Sequence, residues 1–328
     1  MRGAVESPMA NPSGKILALA GGVGGAKLAL GLAGVLPSEA LTVVINTADD
    51  FEHLGLAISP DLDTVMYTLA GVANPETGWG RRDESWTVME TLGQLGGETW
   101  FRLGDKDLAT HIERTRRLNS GERLSAITRD LAQRLGVKCA MVPMSDDPVR
   151  TVVTTDRDEL AFQDWFVRLR CEPTVVSLHF AGANTARPHP ALLDLAGLRG
   201  LVVCPSNPFV SVAPIIALPG VRSALESTRT PLVAVTPIVG GQAIKGPAAK
   251  MLAELGHDVS ALGVARYYKG LIDGFVLDAQ DSALRDKIEA LGMRVRVADT
   301  MMRNDQDKQR LAKTTLEFVD ELAISGRH

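Results

Sequence analysis

The sequence predicts an α/β fold: a Rossmann-like, doubly wound, mostly parallel sheet with helical and β-rich insertions that form a cap. Three observations predict it. Short, continuously apolar runs recur along the chain and read as strands covered on both faces. Helical patterns separate most of these runs, as βαβ connections require. Their carboxyl-terminal ends break abruptly into glycine, asparagine, aspartate or proline. A chain of 328 residues can bury a sizeable core. Its 45% hydrophobic, 23% charged and 5% aromatic residues make it an ordinary globule rather than a disordered or fibrous chain.

The elements follow in order. Residues 1–14, MRGAVESPMANPSG, read as a flexible arm with no apolar core of signal-peptide length. KILALAGG is a strand ending in glycines, and AKLALGLAGVL a helix with Leu28, Leu32 and Leu36 at helical spacing. LTVVINTADD is the second strand, apolar from Leu41 to Ile45 except for Thr42, with a polar tail from Asn46. Residues 81–136 read as helices with charged faces, with the polar loop RLGDKDLATH between them. Within residues 137–180, VRTVVTTDRDELAFQDWFVRL alternates with period two and turns at Asp156 to Asp158, which predicts a β-rich insertion or cap. Strand-like runs resume at GLVVCPSN (200–207), TPLVAVTPIVGG (230–241), GFVLDAQD (274–281) and MRVRVADT (293–300). The expected organisation is a core of residues 15–136 and 181–328 interrupted by a cap at 137–180.

Composition excludes several function classes. A net charge of −4 and an isoelectric point near 5.9 leave no molecule-wide positive field for nucleic acid or an acidic membrane. No run approaches the roughly 18 apolar residues of a membrane helix. Cys139, Cys171 and Cys204 are odd in number and far apart, which argues against a disulfide framework and for a reduced, cytoplasmic location. The six histidines show no HExxH spacing, and no GxSxG elbow occurs, so neither a zinc site nor a serine nucleophile is assigned.

In an open parallel sheet, ligands bind beyond the carboxyl ends of the strands. Gly21, Gly22, Gly24 and Gly25 with Lys27 follow the first strand, where small residues let backbone N–H groups approach an anion at a helix start. The turn misses both nucleotide fingerprints: Lys27 stands where the third glycine of GxGxxG belongs, and Ala26-Lys27-Leu28 replaces Gly-Lys-Ser/Thr. A tight turn with no ligand is the bland alternative. Asp49 and Asp50 follow the second strand, and Asp61 and Asp63 open an apolar helix. As helix caps the last two need no ligand. Joined by Asp49 and Asp50, they offer oxygen ligands from two segments, as Mg²⁺ beside a diphosphate requires. Ser206, Asn207 and Pro208 at a later strand end fit a base, ribose or phosphate, or an Asx turn that caps the next helix. Gly240 and Gly241 with Lys245 form a second glycine loop. Lys245 can contact phosphate or stand in solvent.

Taken together, GGVGGAKLALGL, VVINTADDFEHLGLAISPDLDTVMYTLAG, GWGRRDES, LGDKDLATHIERT, CPSNPFVSVAPII, TPIVGGQAIKGPAAKML and VADTMM resemble the 2-phospho-lactate transferases, in that family's order, from about residue 15 to the C-terminal helix. The resemblance implies a Rossmann-like homodimer that transfers phospholactate or phosphoenolpyruvate from a guanosine-diphosphate-linked donor. The acceptor it implies is the ribityl hydroxyl of 8-hydroxy-5-deazariboflavin (Fo), with GMP leaving, in coenzyme F420 biosynthesis. Carried over residue by residue, it implies that Asp49 and Asp63 are catalytic and that Asp49, Asp61 and Asp63 surround Mg²⁺. It also implies that Lys106 and Asp63 lie near the acceptor, while Ser206, Asn207 and the Gly21 to Gly25 turn hold the guanosine diphosphate. Lys106 departs from the arginine that many relatives carry. The competing readings are a non-catalytic nucleotide-sugar-binding regulator of cell-wall metabolism, from a sister group with a similar glycine turn, and an NAD-dependent oxidoreductase.

Overall fold

Seven strands build one all-parallel sheet in the computed structural model, which describes residues 14–325. They are β1 (Ile16–Ala20), β2 (Leu41–Ile45), β3 (Ala140–Pro143), β4 (Gly200–Val203), β5 (Leu232–Val235), β6 (Gly274–Asp278) and β7 (Arg294–Ala298). Across the sheet they run β7-β6-β5-β4-β1-β2-β3. This is the Rossmann order, extended by one strand at the β7 edge. Ile16 of β1 pairs with Leu41 of β2 on one side and Gly200 of β4 on the other. Chain order therefore reverses between β1 and β4, which opens a crevice at their carboxyl ends.

Strand alternation feeds two buried layers. Leu17, Leu19, Val44, Leu201, Val203 and Leu232 join one apolar cluster, while Ile16, Ala18, Val43, Ile45, Val202 and Val233 join the other. The second layer receives α1 (Gly22–Val35), α2 (Pro60–Leu69) and the C-terminal helix Asp305–Ser325. Both faces of the sheet are thus covered, and its inner strands read as mainly apolar runs for that reason.

Three further helices, α3 (Thr87–Gln94), α4 (Asp105–Asn119) and α5 (Leu124–Arg134), follow α2 between β2 and β3 in the chain. The segment RLGDKDLATH, expected as a loop, is largely the start of α4, since the helix begins at Asp105. Its charges misled the reading because Asp107, His111 and Arg114 form a polar face that is nevertheless buried. An antiparallel sheet of Arg150–Thr155, Glu159–Ala161 and Val175–Ala181 supplies the irregular region. The change of rhythm placed at residue 137 falls later, because Ala140–Pro143 belongs to the central sheet and pairs in parallel with β2. The arm read over residues 1–14 lies, apart from Gly14, outside the described residues. Among the described residues no single helix is long and apolar enough to cross a membrane.

Candidate active site

The first turn is built by a reciprocal contact between β1 and β4. Ser206 Oγ accepts from the Gly21 N–H at 3.1 Å and donates to the Gly21 carbonyl at 2.9 Å, pinning the two strand ends together. Gly22 has φ +62, a left-handed conformation that glycine adopts without cost. A Cβ on Gly24 would lie 2.2 Å from the Pro205 carbonyl oxygen, so only glycine lets these loops meet. Asn207 behaves as the capping alternative had it: its Oδ1 accepts from Phe209 N–H at 2.9 Å, and Pro208 follows as the first helical residue.

Four carboxylates converge beside this turn. The chain leaves β2 at Asn46, passes Asp49 and Asp50, makes a hairpin (Phe51–His53, Leu56–Ile58) and returns at Ser59 to start α2. The two N–H groups of the Asn46 amide reach Asp49 Oδ2 at 3.1 Å and Asp61 Oδ2 at 3.0 Å, holding the two acids together. Asp61 Oδ1 accepts from Gly22 N–H at 2.8 Å, which ties the acids to the glycine turn. Ser59 donates to Asp50 at 2.8 Å. All four aspartates are buried. Burial, reinforced by Asp61, pushes Asp49 well above the usual carboxylate range, although Thr151 and Asn46 temper the rise. Burial lifts Asp61 to about 6 and Asp50 to about 8. Among the described residues Asp49 Oδ1 and Asp50 Oδ1 have no aligned hydrogen-bond partner.

Arg114 grips both oxygens of Asp63. Behind it, Asp63, Asp107 and His111 place ligand-type atoms within 4.8 Å of one another. The Arg114 guanidinium already supplies the cation there, 3.0 Å from Asp63 Oδ2 and 3.2 Å from His111 Nδ1.

A cavity of about 800 Å³ joins the glycine turn to Asp49, Asp61 and Asp63, while Asp50 stays outside its lining. Its lining includes Gly21, Gly22, Gly24, Lys27, Asp49, Asp61, Asp63, Ser206, Asn207 and Lys245, so most of the expected residues meet in one place. Gly25 packs beneath the turn, where a Cβ would sit 2.5 Å from Ser206 Oγ, and neither it nor Pro208 faces the cavity. Lys106 is corrected: its ammonium donates to the carbonyls of Arg82 and Asp83, outside the lining. Gly240 and Gly241 are corrected as well, since they form the exposed, positive-φ turn of the small Ile238–Val239 and Gln242–Ala243 hairpin. Lys245, at the end of that hairpin, donates to the Thr77 carbonyl at 2.7 Å. Lys27 donates to the Met302 carbonyl at 3.3 Å. Burial first, then Lys245 and Lys308, lower its affinity for a proton. This places two cationic side chains near each other with hydrogen bonds to neutral carbonyls, the electrostatic setting of an anion subsite.

The sequence reading missed a further stretch of lining. Tyr67, Trp79, Trp100, Phe101, Phe162 and Phe166 give the cavity an aromatic wall, and the last two come from the antiparallel insertion. Gln163 of that insertion donates to the Asp49 carbonyl at 3.4 Å and links cap to acids. Thr300 to Arg303, after β7, complete the lining beside Lys27. The i, i+4 spacing of Phe162 and Phe166 is the one local signal that could have pointed inward. The other aromatics are scattered too widely to form a pattern.

The family model for 2-phospho-L-lactate transferase CofD matches residues 16–319. This chain belongs to that family. It is 42% identical over 315 residues to a phosphoenolpyruvate transferase of Streptomyces griseus, covering 94% of this chain and 99% of the relative. It is 38% identical over 303 residues to a 2-phospho-L-lactate transferase of Methanosarcina mazei, covering 92% and 99%. In fold it is similar to a solved UPF0052 family protein of Bacillus halodurans, at a TM-score of 0.60 and 13% identity over 92% of this chain and 98% of that one. Family membership makes the chain a transferase, and the Rossmann-like α/β fold expected from the sequence is the one observed.

Proposed function

We propose that this transferase moves a phosphate-linked three-carbon acid from a guanosine-diphosphate-linked donor to the terminal ribityl hydroxyl of a deazaflavin, releasing GMP, as a step of coenzyme F420 biosynthesis. The observation that carries the reading is a single cavity lined by a glycine turn with lysines, a knot of carboxylates and an aromatic wall. A diphosphate suits the first, a divalent cation and an alcohol the second, and a planar tricyclic ring the third. The 42% identity to a protein named phosphoenolpyruvate transferase, against 38% to one named for phospholactate, favours phosphoenolpyruvate as the transferred acid.

Mg²⁺ fits the donor set. Asp49 belongs to the cavity lining, its buried Oδ1 has no aligned partner among the described residues, and Asp61 lies beside it on the shared Asn46 amide. Asp49 and Asp61 would hold the ion, with Asp63 completing the surroundings, and the ion would offset charge on the diphosphate. The chain's own groups do the rest. The start of α1 at Val23 and Gly24, with Lys27 and Lys245, binds the diphosphate, and Ser206 keeps that turn in place. Asp63, fixed by Arg114, accepts a hydrogen bond from the acceptor hydroxyl and takes its proton as attack proceeds. The hydroxyl oxygen forms a bond to the phosphorus that carries the three-carbon acid, and that phosphorus releases the bridging oxygen to GMP. Phosphoryl transfer makes slight demands on a base, so orientation supplies most of the acceleration.

The test incubates purified protein with Mg²⁺, the deazaflavin alcohol and each donor. Stoichiometric GMP release is expected, with a product whose mass identifies the acid, since the two candidates differ by two hydrogens. Asp63→Ala should lower release by on the order of 10²-fold or more. Full activity in a folded Asp63→Ala protein removes that residue from the reaction.

A further inference from the structure

We propose that Arg114 is a positioning residue, which fixes the Asp63 carboxylate toward the cavity from behind its wall. The inference rests on the transferase reading above and assigns a role to a side chain that the cavity does not contain. Arg114 is buried and absent from the lining, whereas Asp63, Tyr67, Asp107 and His111 all belong to it.

The geometry is a polar ladder between two helices. From α2 come Asp63 and Tyr67, one turn apart; from α4 come Asp107, His111 and Arg114 at successive turns. The Arg114 fork holds Asp63 at both oxygens, with Nη1 at 3.0 Å from Oδ2. The same Nη1 lies 3.4 Å from the Ala57 carbonyl and 3.2 Å from His111 Nδ1. A guanidinium only donates, so His111 Nδ1 is the acceptor of that contact, and its Nε2 lies 3.3 Å from Asp107 Oδ1 without an aligned hydrogen bond. The Tyr67 hydroxyl donates to that same oxygen at 2.7 Å. Each member limits the rotation of its neighbour, and the end result is one orientation for Asp63.

Stability alone gives a weak reason for this arrangement. A buried ion pair is commonly replaced by apolar side chains at no loss of stability, and the Arg114 Nε–H is buried without a partner among the described residues. Two helices packed by leucines would hold as well, but they would leave the Asp63 carboxylate free to turn.

The test compares wild type with Arg114→Lys, which keeps the charge but not the fork, and with Arg114→Gln. In the folded variants kcat should fall by on the order of 10²-fold while KM for the deazaflavin alcohol and GDP affinity by calorimetry stay near wild type. Lysine should retain more activity than glutamine. Crystal structures of the variants should show Asp63 spread over more than one rotamer. Unchanged kcat, a parallel loss of GDP affinity, or an Asp63 that keeps its rotamer in Arg114→Lys would each overturn the proposal. The rotamer readout needs no turnover, so a wild type that orders Asp63 yet releases no GMP counts against the transferase reading alone.

Discussion

Asp49, Asp50 and Asp61 bind protons more tightly in the folded chain than in the unfolded one, because burial opposes their charged forms. A carboxylate raised in this way stabilises the fold fully below its unfolded value near 4, and the contribution is lost as pH rises through the folded value. That loss starts near pH 4 and is complete by about 6 for Asp61 and about 8 for Asp50. A divalent ion favours the charged forms and reverses the trend. Thermal scans of chelated protein should therefore show Tm falling between pH 5 and pH 8.5, with Mg²⁺ raising it more at the upper end. Asp50→Asn, never charged, should flatten the upper part of the slope. A slope that Asp50→Asn leaves unchanged would mean that Asp50 is ionised throughout. At this scale the sequence was informative about Asp49, Asp61 and Asp63, whose density exceeded what a surface loop needs. It was silent on Asn46 and Arg114, because neither residue type signals a role until its partners are placed.

At the scale of elements, the strands that were legible are those covered on both faces: β1, β2, β4, β5 and β6 are mainly apolar runs, interrupted only by Thr42 and the terminal Asp278, for a physical reason. Strand β3 escaped because it has four residues, ends in Pro143 and lies at an edge of the sheet, where apolar continuity is not demanded. The start of α4 escaped because its buried face is polar, which inverts the usual pattern. The glycine turn was legible as a turn, but not as the point where β1 and β4 interlock. Gly24→Ala tests that interlock, since the new methyl must displace the Pro205 carbonyl. Overpacking of this kind costs about 1–3 kcal/mol. Denaturant unfolding should show a loss of that size, accompanied by weaker GDP binding. Wild-type stability in Gly24→Ala would show that the two loops are free to separate.

For the whole molecule, the sheet's switch point gathers residues from Gly21 to Arg303 around one cavity, and the antiparallel insertion closes part of it with Phe162 and Phe166. The sequence predicted where such a crevice opens, because topology alone dictates it. It did not predict the aromatic wall, which six residues from four separate segments assemble only on folding. The account depends on that wall and the glycine turn serving two substrates at once, with the carboxylates between them chemically. A crystal structure with Mg²⁺, GDP and the deazaflavin alcohol tests this most directly. The predicted result is a diphosphate on the Gly21–Gly25 turn, the ring against Trp100 and Phe101, and the terminal ribityl hydroxyl within hydrogen-bond distance of Asp63. A ring bound outside this cavity, or a hydroxyl directed away from the four aspartates, would contradict it.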